Sequence, residues 1–472
     1  MSSHGAAEAY ARERGKALAW SIPILIMLLA WGAAISLDTY PSDRAAASLL
    51  IGTVLLGGWA VLSSHPEGQW SVPFLGYVAL SLFHIGLFIA PALSGATPGF
   101  LLDTDPSWFY GANLGLTASL LALGFLCYAL GAALPVYTRR TFIAHSSYSG
   151  AVAVKQRRSI STVGSAVLIV SVTLWFVENT RLNGPLFFLG SYADYLDAVE
   201  GSLVGICFMG IGLGLVMCVQ WIGSWIARVG ILSFAVFAIL GFPLGLRGEV
   251  LMPLVAATGV FMKMVYRRPK WLLVVGSFLV LAFITVGRQV RALGLGDAER
   301  AEVSIRLLDA IEEMGASMRV LATSVQWHTL AGEPYAGGST YITPIIRNVR
   351  SVLGLPNLPV DFDYGLFNVE IAARVGNIGG SVIGEAHHNF GTLGVIFVPV
   401  AWGFLLAALN GRARSPWGVA FLGTGAMLFL MHVRNASTPL FMWACAAGVL
   451  LLLSRLLSSA QSSAPSSAGG RE

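Results

Sequence analysis

Between Ile383 and Leu393 the chain sets a carboxylate, two imidazoles and an amide almost side by side, in the stretch GEAHHNFGTLG, Gly384 to Gly394. The flanks are apolar, and polar groups at the edge of hydrocarbon are costly to keep there without a task. On a helix Glu385 and His388, three apart, share a face while His387 turns elsewhere. A carboxylate beside an imidazole is suited to taking a proton from an attacking hydroxyl. The same residues also fit a bland role, with Asn389 as a helix cap, Glu385 paired to an arginine and the histidines hydrogen-bonded at an interface. His84 and His432, inside apolar runs, fit packing or network roles better than ligand roles.

A second set is cationic: Arg247, Arg288, Arg291, Arg347, Arg350 and Arg434. Arg288 and Arg291 are three apart, and Arg347 and Arg350 repeat that spacing in IIRNVRS, so each pair shares a face if locally helical. Such pairs can fork onto phosphate oxygens, or they can snorkel to lipid headgroups and pair with Glu249, Asp361 and Asp363. Arg247 in GLRGE and Arg434 in HVRNAS lie between apolar runs with almost no loop to solvate them, which makes them functional candidates. Two Asp-x-Asp pairs, Asp103 with Asp105 and Asp361 with Asp363, could hold a divalent cation. Neither follows a strand of a nucleotide-binding domain, and no metal site is assigned. No Walker, GxSxG or HExxH pattern is present.

The elements that position these residues are membrane helices. Of 472 residues 56% are hydrophobic and 11% charged, with a mean hydropathy of +0.72, where soluble domains are nearer a quarter charged. The net charge of +5 sits in short clusters between apolar runs, a topology signal rather than a nucleic-acid footprint. Cys127, Cys207, Cys218 and Cys445 lie inside apolar runs and read as small buried hydrophobes, with no disulfide or zinc spacing.

With roughly 20 apolar residues per span, the chain divides into about twelve segments, beginning near 17, 45, 71, 111, 160, 202, 229, 249, 271, 391, 416 and 438. Those near 229 and 249 are short and could instead form a re-entrant pair. Arg12, Arg14 and Lys16 precede the first segment without a clear cleavage site, which predicts a retained signal anchor and a cytoplasmic N-terminus. That orientation puts most lysine and arginine inside and leaves only Arg44, Arg181, Arg247 and Arg434 in short outer loops, as the positive-inside rule expects.

The expected organisation is a transmembrane bundle over 1–286, a large outer loop over 287–390, membrane helices over 391–457 and a low-complexity cytoplasmic tail over 458–472. A loop of roughly a hundred residues is too long for a connector and is expected to be functional. Leu307, Ile311, Met314, Met318, Leu321 and Val325 recur at helical spacing, predicting an amphipathic helix on the membrane or against the bundle. GEPYAGGSTYITP and GLPNLPVDFDYG read as turns. The expected fold class is an all-α polytopic membrane protein.

GLRG at a membrane boundary, the large outer loop and GEAHHNFGTLGVIFVPVAWGFLLAAL resemble the O-antigen polymerase (Wzy) family of bacterial oligosaccharide repeat-unit polymerases. That family often shows E-x-Y-x-N-F-G before a glycine-spaced membrane helix; His387 stands here where tyrosine is frequent. The resemblance implies a membrane glycosyltransferase architecture of the GT-C type. It further implies transfer of a growing glycan from one undecaprenyl diphosphate to a sugar hydroxyl on another, at the outer face of the bacterial cytoplasmic membrane.

On that reading the six arginines bind diphosphate without a metal or other cofactor, and Glu385 or His388 is the base, supported by His387 and Asn389. The partners are undecaprenyl-diphosphate-linked glycans, the lipid bilayer and a chain-length regulator (co-polymerase), with no nucleic acid. A surface-polysaccharide ligase and a polyprenyl-phosphate-sugar transferase share these features. A flippase would instead place charge within its spans and break helices in matching halves.

Overall fold

The structure, a computed structural model, describes residues 3–37, 41–101, 107–138, 150–190, 202–265, 307–360 and 363–463, with isolated positions between these ranges. Arg288, Arg291, Asp103, Asp105, Asp361 and nearly all of the segment expected from 271 lie outside the described residues.

Among the described residues there are helices and no strands. They are α1 (Ser3–Ser36), α2 (Asp43–Ser64), α3 (Val72–Ile85), α4 (Ile89–Ser94), α5 (Ala112–Thr138), α6 (Ala151–Asn183), α7 (Val204–Cys218), α8 (Trp225–Gly241) and α9 (Arg247–Met264). The series continues with α10 (Leu307–Met314), α11 (Met318–Val325), α12 (Ser339–Val352), α13 (Phe367–Val375), α14 (Val382–Arg412), α15 (Pro416–Arg434) and α16 (Leu440–Ser463). Eight stretches are long and apolar enough to cross a bilayer, and two shorter apolar helices, Ile22–Ser36 and Trp225–Gly241, accompany them. The chain is thus an all-helical, polytopic membrane protein. Eleven of the twelve expected starts fall on these helices or within two residues of their first turn, and α8 and α9 form separate helices joined at Phe242–Leu246.

The bundle is built around α5. Of its apolar window 94% is buried, against 22% for α16, so α5 is the axis and α16 lies at the periphery. α14 runs along α5 with backbones almost touching: a Cβ on Gly131 would strike the Val400 carbonyl, and one on Gly403 the Tyr128 carbonyl. Glycine at these crossings replaces side-chain volume with dispersion contact, the usual device for tight helix pairs in a membrane.

The two ends of the bundle differ. At one end the α2–α3 connection meets the ends of α9 and α14, where Lys263 ion-pairs with Glu67, whose Oε2 accepts from Asn410 Nδ2 at 3.2 Å. Arg247 and Glu385 begin α9 and α14 and so sit at the opposite end, under the stretch 307–380.

Two loop expectations change. The periodic residues of 307–325 do not form one helix: Gly315–Ser317 interrupts it because Gly315 packs backbone to backbone on Gly86, and Met318, Leu321 and Val325 are buried in the bundle. The amphipathic helix with an open apolar face is α12, whose Ile342, Ile345, Ile346, Val349 and Val352 are exposed. The turn therefore ends at Gly338, in the left-handed region at φ 92°, and STYITP is helix. Cys127, Cys207 and Cys218 are buried as expected, whereas Cys445 is exposed on peripheral α16.

Candidate active site

The polar stretch is held by a break in α14. Ser381 caps its start, accepting from Gly384 N at 3.0 Å, and helix runs to Phe390. Gly391 then takes φ 60°, ψ −144°, outside helical geometry. That backbone suits only glycine, and a Cβ there would also lie 2.8 Å from the Tyr335 ring. Beyond the break Gly394 comes back against the Ala386 carbonyl, so the Val382–Phe390 segment folds beside the membrane helix that follows. Glu385, His387, His388 and Asn389 are all buried.

Glu385 is the hub. Its Oε1 accepts from Thr340 Oγ1 at 2.7 Å and Ser437 Oγ at 2.7 Å. Its Oε2 accepts from Ser437 N at 2.7 Å and lies 3.1 Å from His432 Nε2. Trp402 Nε1 is a donor only and points at His432 Nδ1 at 3.2 Å. His432 must therefore accept at Nδ1 and donate from Nε2 to Glu385. Asn389 is not a cap: Nδ2 donates to Thr340 Oγ1 at 2.6 Å and Glu385 O at 2.9 Å, and Oδ1 accepts from Gly338 N at 3.0 Å. One carboxylate thus ties α12, α14 and the end of α15 together. His84 joins the same frame through Ser381 Oγ at 2.6 Å.

His388 belongs to a second group. Its Nδ1 lies 2.9 Å from Nε2 of His328, which sits on the π-helical turn Gln326–Leu330 closing α11; such turns recur at functional sites. Its Nε2 lies 3.2 Å from Glu370 Oε2, but the approach is off line and that buried nitrogen has no aligned hydrogen bond. Arg374 ties Glu370 (3.2 Å) to Glu333 (2.6 Å) and lies over Trp327, 3.7 Å from the ring centroid. His387 instead meets Ser324 Oγ at 2.8 Å. Burial opposes ionisation of Glu370, but the His388 imidazole beside it and Arg374 outweigh that and hold its carboxyl below 4.5. Burial keeps His328 below its ordinary 6.5.

The arginines divide. Arg247 opens α9 and is buried, ion-paired with Glu313 of α10 at 2.8 Å. Arg434 ends α15 with Nη1 3.0 Å from where a Cβ on Gly248 would sit, so the second glycine of GLRG is the space the guanidinium occupies. Its other face lies over Phe83, 5.8 Å from the centroid, and it makes no ion pair with any described residue. Arg347 pairs with Asp363 at 2.6 Å and Arg350 donates to Pro356 O at 2.9 Å, so both hold the loop after α12. The structure thus brings Arg247 and Arg434 together, and separately Glu385, His387, His388 and Asn389. Sequence reasoning did not single out His328, Thr340, Glu370, Arg374 or Ser437. His328 alone carried a signal, as one of only 8 histidines and one that falls in the long loop ahead of the Glu385–Gly394 stretch.

Fold and site together define a polytopic membrane protein with a buried carboxylate and imidazole network beside a pair of arginines. The model of the family described as O-antigen polysaccharide polymerase Wzy matches residues 61–459, and the chain belongs to that family. Members of the family are glycosyltransferase-type polymerases of lipid-linked oligosaccharide repeat units. The chain is similar to Protein CapE of Staphylococcus aureus, at 26% identity over 221 residues, 44% of this chain and 47% of CapE. It spans about half the length of that curated relative. No solved structure matches.

Proposed function

We propose that this chain polymerises undecaprenyl-diphosphate-linked repeat units into surface polysaccharide at the outer face of the cytoplasmic membrane, with both termini inside. The observation that carries the reading is Arg434. A guanidinium seated against Gly248 beside Arg247, without a carboxylate partner among the described residues, suits an anionic group supplied by substrate. A diphosphate leaving group gains charge as the glycosidic bond breaks, and fixed donors aimed at it lower the barrier. Arg247, Arg434 and, beyond the described residues, Arg288 and Arg291 fill that role. Arg347 and Arg350, tied to their own loop, reach substrate only by exchanging those bonds.

The acceptor hydroxyl loses its proton to His388, because four donors already occupy the Glu385 oxygens. Glu385 and Asn389 then hold the frame, and His387 stands beside the base. The open apolar face of α12 lies on the lipid, next to the polyprenyl chains. A chain-length regulator is the expected further partner. The test is purified protein incubated with lipid-linked repeat units and resolved on a gel. Wild type gives a ladder; Arg434→Ala, inserted normally, loses it by about a hundredfold. A full ladder from Arg434→Ala removes the assignment.

A further inference from the structure

The orphaned nitrogen of His388 has a built surround. His328 Nδ1 lies 3.0 Å from the Glu333 carbonyl, which can only accept, so Nδ1 carries the proton and Nε2 is left to accept. His388 must then donate from Nδ1 to His328 Nε2 across 2.9 Å. Its Nε2 is thereby turned toward the Glu370 carboxylate, 3.2 Å away, with no proton aligned between them. The Phe367 ring, 4.7 Å from the imidazole, closes another side.

We propose that Glu370 and His328 are positioning residues that make His388 a base: His328 fixes its tautomer, and Glu370 shares the proton that arrives on Nε2. The inference rests on the polymerase reading. In the transfer, the acceptor oxygen bonds to the anomeric carbon and the anomeric carbon–oxygen bond to the diphosphate breaks, its electron pair leaving with the phosphate. The hydroxyl proton passes to His388 Nε2, and the misaligned approach to Glu370 becomes a charge-assisted hydrogen bond. The division of labour follows the serine-protease triad, in which one group sets the tautomer and stabilises the imidazolium; here two groups split it. The charged and titratable neighbours are Glu370 and Arg374 from α13, His328 and Glu333 from the π-turn stretch, and His387 from the same helix.

The experiment follows ladder formation against pH, together with the 13C titration of the Glu370 carboxyl. Glu370→Gln is expected to slow polymerisation about a hundredfold at neutral pH without changing KM for the lipid-linked donor. Because the carboxylate stabilises the protonated, inactive base, its loss moves the acid limb of the rate profile about one unit lower. His328→Gln, whose Oε1 can accept the same proton, recovers most of the activity that His328→Ala loses. His388→Ala raises the Glu370 titration midpoint. A ladder-forming wild type in which Glu370→Gln and His328→Ala leave rate and pH profile unchanged overturns the relay. A wild type that makes no ladder, yet whose Glu370 titration responds to His388→Ala, overturns the polymerase reading and leaves the coupling standing.

Discussion

Glu385 and Arg434 are both charged groups carried at the edge of a membrane bundle, but they differ in what surrounds them. Glu385 receives hydrogen bonds from Thr340, His432 and twice from Ser437. Removing the carboxylate leaves those donors buried and unsatisfied, so Glu385→Ala should destabilise the protein by about 3–5 kcal/mol, read as the loss of unfolding free energy in detergent. Arg434→Lys keeps the charge and loses the planar fork. It should retain the fold and its unfolding midpoint while ladder formation drops about tenfold to a hundredfold. Sequence spacing brought Glu385 and His388 onto one face; the structure gives their side chains different partners. Glu385 meets residues from α12 and α15, and His388 meets the π-turn and α13, contacts more than 15 residues distant that no local spacing encodes.

At the scale of elements the site depends on two glycines and one charged tie. Gly391→Ala forces a side chain into φ 60° against the Tyr335 ring, and should cost about 1–3 kcal/mol, seen as a lowered unfolding midpoint. Gly248→Ala meets only the tip of Arg434 at 3.0 Å. That tip can swing aside, so stability should hold while ladder formation falls toward the Arg434→Ala level. The stretch 326–375 carries a pH dependence. His328 is held below 6.5 by burial, so the unfolded chain binds its proton first as pH drops, and stability is lost as pH falls through 6.5. Glu370 sits below 4.5 through His388 and Arg374 despite its burial, so its contribution is present above 4.5 and lost below it. The protection of α13 amides, their exchange relative to an unstructured chain at the same pH, should therefore fall in two stages on acidification; protection unchanged from pH 7 to below 4 contradicts this. The glycine after Arg247 was visible in GLRG, but the reason for it, the guanidinium of a residue far along the chain, was not.

Across the whole molecule the end opposite the site is locked by Lys263, Glu67 and Asn410. Lys263→Met strands a largely buried carboxylate and should cost about 3–5 kcal/mol, while the double variant Glu67→Gln, Lys263→Met should recover most of it; unfolding of both single variants and the double variant gives the coupling. The order of apolar and charged residues establishes the class of molecule and the approximate starts of its membrane helices, because hydrocarbon admits only long apolar helices and drives charge to their ends. It also determined the family, through GLRG and the Glu385–Gly394 stretch. Tertiary packing decides that the helix expected over 307–325 is two pieces, the second buried and the first only partly so, that the open amphipathic face belongs to α12, and which histidine faces which carboxylate. Periodicity reports that a residue has an apolar or polar side, but not which distant element meets it. That choice is made by backbones approaching at Gly86, Gly131, Gly315 and Gly403, and by donors and acceptors that must all be satisfied once water is gone.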